Sequence, residues 1–72
     1  MNKVTNEQLD AALKQTLAER PESKLAKLNQ TVAVANIVSW YRSRGMFYPT
    51  LDSKASAVFR KCCNEARTVG LL

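Results

Sequence analysis

The sequence predicts an all-α domain, a small bundle of three to four helices. Three observations carry this. Apolar residues recur at three- and four-residue spacing in each long segment. Breakers stand between those segments, at Pro21, Gly45, Pro49 and Gly70. No stretch alternates apolar and polar residues as a half-buried strand would. With 72 residues the chain makes one domain and buries a core of modest size. Pairing with a second copy, as a homodimer, is the natural way to enlarge it.

The first helix is expected over about residues 6–19. Thr5, followed three residues later by Gln8, forms a capping box, and Glu7 and Asp10 suit the positive end of the helix dipole. Leu9, Ala12, Leu13, Thr16 and Leu17 share one face, with Thr16 packing through its methyl group. Pro21 ends the helix near Glu19.

The middle of the chain carries two apolar stripes. Leu25, Leu28, Val32 and Ala35 make one, and Val34, Ile37, Val38 and Tyr41 make another, rotated by roughly half a turn. One straight helix would have to bury both sides. A break near Asn29–Thr31, with Thr31 as a new N-cap, predicts two helices over about 22–29 and 32–44. Gly45 closes the segment as a left-handed terminator.

Met46 to Leu51 is a connector, because Pro49 disfavours helix at Tyr48. Asp52 or Ser53 caps the last helix, expected over about 53–68 and stopped by Gly70. Its two faces separate. Ala55, Val58, Phe59, Cys62, Ala66 and Val69 fall on the apolar side, with Cys63 at the edge. Ser53, Ser56, Arg60, Asn64 and Arg67 fall within an arc of about 80° on the opposite side. Lys54 and Lys61 flank that arc.

Charge divides the chain. Residues 1–22 hold three bases against four acids, and residues 23–72 hold eight bases against two acids. The net charge of +5 therefore belongs to the C-terminal two-thirds, which favours a polyanionic or acidic partner. No apolar run approaches the roughly 20 residues of a membrane span, and no apolar core of a signal peptide follows the N-terminus. A cytoplasmic protein with reduced thiols is the expectation. Cys62 and Cys63 are neighbours on a helix, where side chains diverge too far for an intrachain disulfide.

Two constellations bear on function. On the last helix, Arg60 and Arg67 have the chemistry to read guanine and Asn64 to read adenine, while Ser56, Lys54 and Lys61 suit phosphate oxygens. The same stripe also fits an ordinary solvated face. The second constellation runs from Trp40 to Pro49 and gathers four of the five aromatic residues with Arg42 and Arg44. Such residues stack on bases, hold phosphates or anchor protein interfaces. The structural alternative packs Trp40, Tyr41 and Phe47 into the core, leaving Tyr48 and the more exposed of Trp40 and Tyr41 as contacts.

Residues 31–72 resemble the helical part of a winged helix-turn-helix domain. In that likeness, 32–44 is the first helix, the turn near Pro49–Asp52 stands in for the second, and 53–68 is the recognition helix. The ending Ala66-Arg67-Thr68-Val69-Gly70-Leu71-Leu72 is similar to the passage leading into a wing, although no wing hairpin follows within these residues. The resemblance implies DNA binding and transcription regulation, with Ser56, Arg60, Asn64 and Arg67 facing the groove.

Catalysis finds no support in the residues. The chain has no His and no glycine-rich phosphate loop, and two cysteines do not make a zinc site. No cofactor is expected. The sequence therefore leads to a binding protein rather than an enzyme. Its expected partner is duplex DNA, held by Ser56, Arg60, Asn64, Arg67, Lys54, Lys61, Arg42 and Arg44. The alternative is an adaptor or inhibitor that meets an acidic protein surface through Trp40, Tyr41 and Tyr48.

Overall fold

The computed structural model describes residues 3–72. Three helices pack pairwise around one core: α1 (Asn6–Ala18), α2 (Lys24–Arg44) and α3 (Ser53–Thr68). Among the described residues there is no strand, and no helix is long and apolar enough to cross a membrane.

Each helix begins at the cap its sequence supplies. The Thr5 hydroxyl accepts from the Gln8 amide at 3.1 Å, and the Gln8 side chain accepts in return from the Thr5 amide at 2.8 Å. Ser23 caps α2 through the Ala26 amide, and Asp52 caps α3 through the Ala55 amide at 2.7 Å. These bonds satisfy donors that a helix start otherwise leaves unpaired. Gly45 ends α2 at φ 63° and Gly70 follows α3 at φ 81°, in the left-handed region where a side chain is strained. Beyond Gly70 the chain folds back, so that the Leu71 amide donates to the Ala66 carbonyl at 2.7 Å.

The core takes Leu9, Leu13 and Leu17 from α1, Val34, Val38 and Tyr41 from α2, and Cys62 and Cys63 from α3. Ala35 and Ala66 are buried with them. Small residues on α3 let its backbone approach the larger side chains of the other two helices.

The two helices expected over about 22–29 and 32–44 are one continuous helix, and Thr31 is not a cap. A break is needed only if both apolar stripes are buried. The second packs on the core, and of the first only Ala35 is buried. Leu25 and Leu28 stay 68% and 45% exposed, and Val32 is half-buried. The polar residues at the supposed break serve other helices. Gln30, itself buried, donates its side-chain amide to the Thr16 and Glu19 carbonyls at 2.9 and 3.2 Å, satisfying the end of α1. Thr31 is buried against the Cys62 thiol. Tertiary partners thus keep the polar pair Gln30–Thr31 inside a long helix.

Smaller corrections concern single positions. Ala12 and Val69, expected on buried faces, are exposed, and Val58 and Phe59 are half-buried. Cys63, expected at an edge, is buried. On α3 the buried arc is rotated toward Cys63, because α2 packs on that side.

Candidate nucleic-acid interface

The polar stripe of α3 is presented to solvent at Ser53, Arg60, Asn64 and Arg67. Ser56 is half-buried at its margin, and its hydroxyl donates to the Leu51 carbonyl at 3.4 Å. Arg67 donates through Nη1 to Oδ1 of Asn64 at 3.2 Å. That bond aligns the guanidinium along the helix and occupies one lone pair of the Asn64 amide. Oδ1 keeps a second lone pair, and Nδ2 its donors, for an adenine edge.

Arg42 is exposed near the end of α2. Its guanidinium and that of Arg67 both act electrostatically on the buried Cys63 thiol, pulling its pKa down against the larger upward push of burial. Two cations from different helices therefore lie within electrostatic reach of one thiol. Arg60 lies two turns before Arg67 on the same helix face. Arg42, Arg60 and Arg67 are all exposed.

Other expected members stand apart. Arg44 turns toward α1, where Nη1 donates to the Val4 carbonyl at 2.6 Å and the guanidinium lies 4.9 Å from the centre of the Trp40 ring. Lys54 lines a cleft of about 610 Å³ at the C-terminal end of α1, together with Lys14 and Arg20. Lys61 is exposed on the same flank of α3 as Lys54, two turns on. Both lysines thus flank the Arg60–Arg67 stripe on the side away from Cys63.

The aromatic cluster divides in the same way. Tyr41 was expected as a possible contact, yet it is wholly buried and cannot meet a partner. Its hydroxyl donates to the Asp10 carboxylate, tying α2 to α1. Burial, that bond and the Asp10 charge together hold its phenol well above the usual tyrosine range. Tyr48 is 41% exposed and packs edge-on between Tyr41 and Phe59, 5.2 Å from each ring centre. Trp40 is 45% exposed under Arg44. Neither Trp40 nor Phe47 packs into the core as the structural alternative required, and Phe47 is 96% exposed.

Phe47 is the residue that sequence reasoning missed. Extended chain sends successive side chains to opposite sides, but which side each takes is set by the helices packed against it. Met46 packs on the core and Tyr48 lies against the Tyr41 and Phe59 rings, while Phe47 between them turns out.

Comparison with protein-family models, with curated proteins and with solved structures found no match.

Proposed function

We propose that the protein binds nucleic acid, with duplex DNA as the leading ligand, through the basic face of α3 and Arg42. The observation that carries this reading is that Arg60 and Arg67 are exposed two turns apart on α3, and that Arg42, exposed on α2, lies with Arg67 within electrostatic reach of Cys63. A solvated helix needs no second cation brought to it from another element. Phosphate oxygens spaced along a strand do suit such a row. The local charge supports the reading, since no acidic residue occurs from Ser23 to Leu51. Likeness to the helical part of a winged helix-turn-helix domain agrees in the role given to α3. It departs at the connector, where Met46–Leu51 contains no helix. A role in transcription regulation follows from that likeness and belongs to the same proposal.

The test is fluorescence anisotropy with a labelled duplex at low and moderate salt. Replacing Arg60 and Arg67 together by Ala is expected to weaken binding by roughly tenfold or more, since each such contact contributes about 1–3 kcal/mol. Helicity should be unchanged, because both side chains lie in solvent. Binding equal to wild type would remove α3 from the interface.

A second reading, an adaptor or inhibitor on an acidic protein surface, is favoured by a different observation. Trp40, Tyr48, Leu25 and Leu28 are all more than 40% exposed. Exposed aromatic and aliphatic side chains are common anchors of protein interfaces. Recovery of a stoichiometric protein after nuclease treatment, lost on replacing Tyr48 but not Asn64, would support it over DNA binding.

A further inference from the structure

We infer that Phe47 is a stacking platform for an unpaired nucleobase, with Arg42 holding the neighbouring phosphate. This rests on the nucleic-acid reading above and adds to it a preference for duplex that carries a single-stranded extension.

Burial would be the ordinary fate of a phenylalanine in so small a domain, yet Phe47 is 96% exposed. The exposure is fixed by its neighbours. On one side, the Met46 amide donates to the Tyr41 carbonyl at 3.0 Å, and Met46 packs on the core. On the other side, Tyr48 is held between Tyr41 and Phe59. Both flanks of Phe47 are therefore anchored, and its ring is offered to solvent from a fixed backbone. Little further order has to be imposed when a ligand arrives.

The other exposed aromatics at this end are already engaged, Trp40 under the Arg44 guanidinium and Tyr48 against two rings. Phe47 is the ring left with open faces. A protein hot spot is usually ringed by further apolar contacts. Here Met46 packs on the core, the half-open Tyr48 ring lies against two other rings, and Gly45 and Thr50 add no apolar side chain. One isolated flat ring matches one planar base.

Charge completes the match. Because Met46 bonds back to Tyr41, Phe47 begins only a short distance from Arg42. A base on Phe47 would thus carry its phosphate toward the Arg42 end of the basic face. Base–aromatic stacking is tolerant of sequence, so the preference should be for an unpaired base of any kind.

The experiment compares a short blunt duplex with the same duplex bearing an adenine-rich single-stranded extension, by anisotropy, for wild type and Phe47→Ala. The side chain is in solvent, so the variant should fold; circular dichroism checks this, and Phe47→Trp supplies a second aromatic variant. Wild type is expected to bind the extended duplex roughly 5- to 100-fold more tightly, the range that stacking of one base supplies. Phe47→Ala should lose that preference while keeping its affinity for the blunt duplex, and Phe47→Trp should retain it. Equal binding of both duplexes by all three proteins would overturn the inference and leave the proposed function standing. Binding to neither duplex would overturn both.

Discussion

Helices α1 and α3 are alike in length but divide the work of the domain between them. α1 buries three leucines at four-residue spacing, Leu9, Leu13 and Leu17. Its polar groups are used internally: Thr5 and Gln8 close its start, Asp10 accepts from Tyr41, and Gln30 covers its final carbonyls. α3 buries Cys62, Cys63 and Ala66, all small, and turns Arg60, Asn64 and Arg67 outward. The first helix supplies volume and fixes the other two. The last supplies a rigid surface on which long cationic side chains are displayed. Arg42 follows the second pattern, although it comes from α2.

The largest effect that would break this division lies in α1. Leu13 has no exposed surface, and Leu13→Ala should cost about 2–5 kcal/mol in urea denaturation. That loss approaches the whole stability of a domain this small. An effect well under 1 kcal/mol would mean that α1 is not the filler of the core.

An intermediate effect is expected from alkaline pH. Burial raises the pKa of Cys62 and Cys63 above the ordinary 9.0, and that of Tyr41 above 10.0. In the unfolded chain these groups lose their protons near the ordinary values, whereas the folded protein retains them. Between the unfolded and folded pKa the unfolded state binds fewer protons, so stability falls as pH rises. It should be fully present below about pH 9 and decline above it, with the phenol adding to the decline beyond about pH 10. Tyr41→Phe should make that last part shallower. The readout is the urea midpoint across alkaline pH, and a flat profile would contradict the buried placement of these groups.

The smallest effect is a control on the surface. Lys14 lies on α1 beside the cleft, apart from the Arg42–Arg67 face. Lys14→Ala should change DNA affinity less than twofold at moderate salt, where charges beyond about one Debye length are screened. A loss equal to that of Arg60→Ala would extend the interface across the bundle.

Much of the fold was legible because it depends on local signals. Thr5 with Gln8, Asp52, Gly45 and Gly70 mark boundaries by their own backbone chemistry, and α3 spans the expected 53–68. The unbroken α2 was not legible. The two apolar stripes suggest a break with Thr31 as a new cap, and only the arrival of α1 and α3 gives Gln30 and Thr31 partners inside one helix. The candidate site divides likewise. The stripe of Arg60, Asn64 and Arg67 follows from helical periodicity alone. The separation of Arg42 from Arg44, the burial of Tyr41 and the outward turn of Phe47 depend on packing between elements distant in sequence.

The central claim is that Arg42, Arg60 and Arg67 form one phosphate-binding face. Its most direct test is the slope of log affinity against log salt for duplex DNA, in wild type and in the triple variant Arg42→Ala, Arg60→Ala, Arg67→Ala. Each phosphate contact contributes roughly 0.9 to the slope. The account predicts that the triple variant loses about 2.7 from it. An unchanged slope, with the arginines gone, would contradict the account.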